Sequence, residues 1–205
     1  MSSRLRFAGT SAALVALLAT VSLAVPRGQS VTPEDTSRSV RRMLERLPYY
    51  GVFDFIAFSV DRGTVTLAGF SYQQNLKADA EMAARRASGV IEVANRIEVL
   101  PPSSFDDRIR LATFYRIYAD DFLSRYARGG VGQVIREVLD AKRFPGMQPI
   151  GTYPIHIVVK NSRTMLLGVV DNAADRQIAE VRAREVAGVL EVENGLHVPQ
   201  EPASR

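Results

Sequence analysis

Residues 69–99 read GFSYQQNLKADAEMAARRASGVIEVANRIEV, and residues 168–198 read GVVDNAADRQIAEVRAREVAGVLEVENGLHV; the second aligns on the first without a gap. Gly69/Gly168, Ala80/Ala179, Glu81/Glu180, Ala84/Ala183, Arg85/Arg184, Gly89/Gly188, Val90/Val189, Glu92/Glu191, Val93/Val192, Asn95/Asn194 and Val99/Val198 are identical. A fixed offset over a stretch this long marks a duplicated folding unit. The shared positions are mostly those a fold needs: small residues on a helix, a helix-stopping glycine and strand apolars. Few of them are of the kind that serves as nucleophile, base or metal ligand, so the repeat argues against an enzyme.

Working outward, residues 73–87 predict a helix with Leu76, Ala80, Ala83, Ala84 and Ala87 along one stripe. Gly89 ends it, and residues 90–99 follow as a strand with Ile91, Val93, Asn95, Ile97 and Val99 on one face. Upstream, residues 53–60 and 64–70 are strands joined by the tight turn Asp61-Arg62-Gly63. Before them a helix over residues 37–47, capped by Thr36, places Val40, Met43, Leu44 and Leu47 on one side. The first two strands form an antiparallel hairpin, and the third joins the second through a helix, which makes that pair parallel with a right-handed crossover. The expected fold class is α+β: two tandem αββαβ units, each a three-stranded mixed sheet packed against two helices.

The second unit repeats this, with strands at 155–160, 164–170 and 189–198, a turn at Asn161-Ser162 and a helix at 175–187. Its leading helix, residues 105–126, is longer than that of the first unit. An insertion at 129–154 carries Val131, Val134, Ile135, Val138 and Leu139 at helical spacing, which predicts an extra helix there. Units this small have thin cores, so packing of the two against each other is expected.

The first residues carry an address. Arg4 and Arg6 precede an uncharged apolar run over residues 8–25, and Ser22-Leu23-Ala24 places small residues where a signal peptidase reads. The expected organisation is a signal peptide at 1–24, a linker at 25–35, domain one at 36–100, a linker at 101–105, domain two at 106–199 and a tail at 200–205. The product is then exported, periplasmic or associated with the cell envelope; retention of the leader as an anchor is the alternative. With no cysteine the chain forms no disulfide and carries no lipoprotein anchor. Its 26 basic and 22 acidic residues give a net charge of +4, and loss of Arg4 and Arg6 leaves +2. That is not the charge footprint of a nucleic-acid binder.

Gly-Val-x-x-Val-x-Asn-x-x-x-Val occurs as Gly89, Val90, Val93, Asn95, Val99 and again as Gly188, Val189, Val192, Asn194, Val198. Each copy follows a strand ending at Gly69 or Gly168 and an alanine-rich helix. This pattern resembles the BON domain over residues 36–100 and 106–199. The resemblance implies a non-catalytic envelope module that attaches to membrane phospholipid or to an envelope protein, with no cofactor and no catalytic residues. The insertion at 129–154 departs from the family pattern.

Leu111, Tyr115, Tyr118 and Phe122 form an aromatic-rich helical stripe, flanked by Phe114 and Tyr126, with Arg108, Arg116 and Arg125 nearby. Two readings stay open: an interfacial membrane or partner contact, with rings at headgroup depth and cations toward phosphates, and a core face packed on its own sheet. Ile178 and Val181 lie beside the helix stripe of the second unit where the first has Asp79 and Met82, which suggests either an interface between units or a wider core stripe. Gly129-Gly130-Val131-Gly132 has the form of a phosphate-approaching loop, but a hinge explains it more simply. His156 and His197 fall inside strand patterns and have no evident catalytic partners. The functions carried forward are an envelope binding module, an adaptor joining a periplasmic complex and, last, a hydrolase-like enzyme.

Overall fold

The computed structural model describes residues 32–128, 147–150 and 153–199. In the first repeat α1 is Pro33–Leu44, β1 Phe55–Asp61, β2 Thr64–Ser71, α2 Leu76–Arg85 and β3 Glu92–Val99. In the second, α3 is Ser104–Tyr118, followed by a 3-10 turn at Ser124–Arg128, a short strand β4 at Gln148–Pro149, then β5 Ile155–Lys160, β6 Arg163–Val169, α4 Ala173–Arg184 and β7 Glu191–His197. The repeats are thus the αββαβ units expected. The expected signal peptide at 1–24, the Gly129–Gly132 run, the helix expected within the insertion and the tail at 200–205 lie outside the described residues.

Helix boundaries move: α2 begins at Leu76 rather than at residue 73, and the largest shifts are in the leading helices. α1 begins inside the stretch read as linker: Pro33 occupies the first turn, and Thr32 rather than Thr36 caps the helix through a capping box with Asp35. Thr36 instead turns its hydroxyl back to the Thr32 carbonyl at 3.2 Å. The long helix stops at Tyr118, and the chain continues through a turn into the 3-10 segment.

β1 and β2 pair antiparallel and β2 and β3 parallel, in the order β3-β2-β1-β4; the second sheet runs β5-β6-β7 with the same sense at each pairing. Alternation assigns the faces. Ile56, Phe58, Val65, Leu67, Val93 and Ile97 meet Val40 and Leu44 of α1 and Leu76, Ala80 and Ala84 of α2. Ile155, Ile157, Val159, Leu166, Val192 and Leu196 meet α3 and α4 in the same way. The opposite faces contribute Phe55, Ala57, Phe70, Val158, Met165, Leu167 and Val169 to a third cluster between the sheets. The layers are therefore helices, sheet, sheet, helices, and the expected packing of one repeat on the other is made by the sheet backs.

The repeat identities have structural causes. Gly69 and Gly168 sit at φ +130 and +132, where an added Cβ would lie 1.9 Å from the Phe55 carbonyl oxygen and 2.0 Å from that of Pro154. Glu81, Arg85 and Asn95 form one latch between helix and third strand. Asn95 donates to Lys77 O at 2.8 Å and Glu81 at 3.2 Å, and Arg85 donates to Glu81 at 2.7 Å. Asn194, Glu180 and Arg184 repeat it, with Asn194 reaching Arg176 O at 2.8 Å and Glu180 at 3.0 Å.

Each repeat also lends a segment to the other. β4 pairs with the outer edge of β1, Ile150 donates to the Ile56 carbonyl at 2.9 Å, and its side chain enters the first core. Conversely, Ile157 of β5 donates to the Val52 carbonyl at 2.8 Å, and Val52 enters the second core. An open strand edge carries unpaired amides and carbonyls that invite intermolecular pairing, and the exchange closes one edge of each sheet. Side chains complete the closure: Tyr118 donates to Ile155 O, Arg110 donates to Val159 O, and the Tyr50 hydroxyl accepts from Ile56 N.

Candidate functional site

The stripe predicted on the long helix divides between core and solvent. Tyr118 and Tyr126 are buried, so neither belongs to an outward contact surface. Tyr118 is needed at the β5 edge. Tyr126 donates to the Asp175 carboxylate and accepts from Asp171 N at 2.8 Å. Burial raises both phenolic pKa values. Phe114 is half-buried, 4.9 Å from the Tyr118 ring and 6.2 Å from Phe53 of the first repeat.

Leu111, Tyr115 and Phe122 point to solvent, with Tyr115 67 % and Phe122 62 % exposed. On α4 the second pair also separates: Ile178 packs against the core, whereas Val181 is 52 % exposed. α3 lies against α4, held by Arg182 to Asp120 at 2.7 Å and, more loosely, by Arg116 to Glu185 at 3.8 Å. The outward surface of this helix pair therefore carries Leu111, Tyr115 and Val181, with the exposed Phe122 in the turn after α3 and Arg108, Arg116 and Arg125 at its borders. Arg108 stacks over the exposed Phe105 ring at 5.4 Å. Arg125 pairs with Asp171 at 3.3 Å and with Asp175.

Three groups on or beside α3 have roles the sequence reading missed. Asp106, in the first turn of α3, is buried and accepts from Asn161 N and Ser162 N, both at 2.9 Å. These two residues form the β5–β6 turn at φ +51 and +62, a strained conformation without glycine, which the carboxylate holds. In the first repeat Gly63 takes that position at φ +84. Arg110 is fully buried, and its guanidinium lies 4.9 Å from the Tyr72 ring. Asp120, just past the end of α3, accepts from Phe122 N at 2.9 Å and Leu123 N at 3.2 Å. Desolvation opposes its ionisation, but these bonds and Arg182 hold its carboxyl below the ordinary value. The spacing of Asp106, Arg110, Thr113 and Ile117 carried a signal: all four lie on the stripe that faces the second core.

His156 is enclosed between the repeats, with the rings of Tyr50 and Phe55 at 5.6 Å and Tyr153 at 6.2 Å. Its Nδ1 has no hydrogen-bond partner among the described residues. Burial pushes the imidazole down to about 4, against backbone groups of Asp54 and Gly51 that favour its charged form. Asp54 accepts from Tyr72 N at 2.6 Å and Gly51 N at 2.9 Å, while burial raises its carboxyl pKa. The cavity beside His156 is about 10 Å³, too small for a substrate. Among the described residues no three His, Asp or Glu side chains are grouped to hold a metal ion, and no helix is long and apolar enough to cross a membrane.

The BON domain model matches residues 34–101 and 132–200. The chain belongs to the BON domain family. Its matched segments contain the Gly-Val…Val-x-Asn motif of each repeat, so the Glu81–Arg85–Asn95 latch and its copy lie within the BON units. The second BON match begins beyond α3, although α3 packs on the second sheet as α1 packs on the first. No curated protein matches the chain. Two solved structures are similar at low scores. One is the C-terminal domain of CdsD, the structural protein of the type III secretion system of Chlamydia trachomatis, at 12 % identity and TM-score 0.27, covering 81 % of this chain and 98 % of that one. The other is a further structure of CdsD at 10 % identity and TM-score 0.26, covering 79 % and 91 %. Scores this low carry no argument about function.

Proposed function

We propose that this tandem BON protein is a non-catalytic, exported module that docks on the surface of an anionic phospholipid membrane through the outer face of α3 and α4. The observation that carries the reading is the exposure of Leu111, Tyr115 and Val181 on helices whose other sides fill the second core, and of Phe122 in the turn after α3, beside Arg108, Arg116 and Arg125. Exposed aromatic and aliphatic groups enter the headgroup boundary while bordering guanidinium groups meet phosphate. The apolar leader at residues 8–25 supports export, and the enclosure of His156 supports a role without catalysis.

Vesicle co-sedimentation tests the reading. Anionic vesicles carry the protein down at low salt, and Tyr115→Ser with Phe122→Ser reduces binding about tenfold or more, from lost apolar burial. Both residues are exposed, so the double variant keeps its thermal midpoint. Vesicle binding that is unchanged in this variant, or absent across anionic compositions, rejects the lipid reading and leaves a protein partner for the same face.

A further inference from the structure

At the junction of the repeats a cavity of about 530 Å³ opens between the β2–α2 loop, the linker and the start of α3. Its volume falls within the roughly 300–1,000 Å³ typical of small-molecule sites. Tyr72, Gln73, Gln74 and Asn75 form one side, Pro101 and its neighbours another, and Asp107 closes the end.

Three properties define what fits. The first is a fixed aromatic platform. The Tyr72 ring rests on the Arg110 guanidinium at 4.9 Å and against Phe53 at 6.0 Å, its backbone amide is tied to Asp54, and the residue remains 36 % exposed. The second is an array of open carboxamides. Gln73, Gln74 and Asn75 are exposed and their side chains make no hydrogen bond to any described residue; Asn75 precedes α2 without capping it. Each carboxamide both donates and accepts. The third is charge balance. Asp107 is paired with Arg110, and the remaining lining groups are neutral.

We propose that this junction binds a neutral oligosaccharide. A pyranose ring has an apolar C–H face for a tyrosine and a rim of hydroxyls that match groups able to donate and accept at once. An ionic ligand would find its counter-charge already engaged. Among the described residues the second repeat has no such corner. Asp171, Asn172, Ala173 and Ala174 stand where Tyr72, Gln73, Gln74 and Asn75 stand, and Asn172 caps α4 by accepting from Asp175 N at 2.9 Å. The site is built from the β2–α2 loop of the first repeat, the linker and the start of α3, and is independent of the outer face of α3 and α4.

Amide chemical shifts of the full-length chain, titrated with cellobiose and with di-N-acetylchitobiose, test the assignment. The expected result is saturable shifts at residues 73–75 and 107. Tyr72→Ala weakens binding about tenfold, the cost of losing one aromatic contact, while Tyr72→Phe keeps it. Because Tyr72→Ala also removes packing on Arg110, Gln74→Ala gives the independent measure. It weakens binding roughly threefold to fivefold through a lost hydrogen bond and leaves the thermal midpoint unchanged. Tyr115→Ser with Phe122→Ser leaves the titration as it was. Absence of shifts with either sugar overturns the proposal, as do shifts confined to other surfaces or equal shifts with a capped dipeptide. Binding of an acidic disaccharide alone overturns the neutral assignment.

Discussion

At the first turn of the duplicated helix, Leu76 of one repeat stands where Asp175 stands in the other. The leucine fills the first core and leaves the residues before it open to solvent. The aspartate draws Tyr126, Arg125 and Asn172 onto itself and closes the same corner with hydrogen bonds. The leading helices differ in a compensating way. α1 is conventionally amphipathic, whereas α3 buries Asp106 and Arg110 on its inner side and exposes Leu111 and Tyr115 on its outer side. Duplication preserved the frame, and each copy then freed a different surface: a polar corner in the first and an apolar helix face in the second.

The largest expected effect tests what the repeats share. Gly69→Ala and Gly168→Ala each drive a Cβ into a carbonyl oxygen at a strained φ, and each costs about 4 kcal/mol or more in denaturant titrations. A much smaller cost at one site would show that the two frames are not equivalent.

Next comes His156, whose counterpart in the first repeat is Ala57. The unfolded imidazole takes up a proton near its ordinary 6.5, and the folded one only at about 4. Stability is therefore insensitive to this group above 6.5, falls as pH drops from 6.5 to 4 by about 3 kcal/mol, and is insensitive again below. Asp54, with a raised folded pKa, has the opposite sign: it favours the fold as pH falls through the carboxylate range. Comparing His156→Ala with the parent across pH isolates the histidine slope, and identical slopes would contradict its enclosure.

Asp106→Ala releases two amides of a glycine-free turn and costs about 2 kcal/mol. Ser162→Gly, which makes that turn more like the first, recovers about 1 kcal/mol of strain in the Asp106→Ala background. No recovery would mean that the carboxylate does something other than hold the turn. The smallest change is at Asn95→Ala and Asn194→Ala, about 1 kcal/mol each and equal within the error of thermal melts.

The fold was legible because its signals are local. Alternation at residues 64–70, the alanine stripe at 80–84 and the stop at Gly89 each depend on neighbours in sequence, and the repeat confirmed each twice. The reciprocal segments were not legible: the contacts of Val52 and Ile150 join positions about a hundred residues apart, and neither carries a periodic pattern. The aromatic stripe was legible as a stripe but not as a surface. Leu111, Tyr115, Tyr118 and Phe122 share helical spacing, yet α3 ends at Tyr118, so the turn that follows separates Phe122 from the helix. Polar residues on the inner side, Asp106 and Arg110, rotated the apolar face from what hydropathy alone implies. The open corner left no motif: Gln73, Gln74 and Asn75 read as the first turn of the helix over 73–87, whereas α2 begins only at Leu76.

A chain made from its N-terminus completes α1 through β3 well before Gln148 to Ile150 exist. Until then the outer edge of β1 lacks the strand that covers it, and Val52 has no second core to enter. The first repeat is thus born unfinished, and the delay is the time needed to add some fifty residues after Val99. A premature stop within that interval yields a sheet with a raw edge rather than a working half. Truncated chains of this protein are therefore expected to associate or to be degraded, and the two repeats to be inherited and lost together.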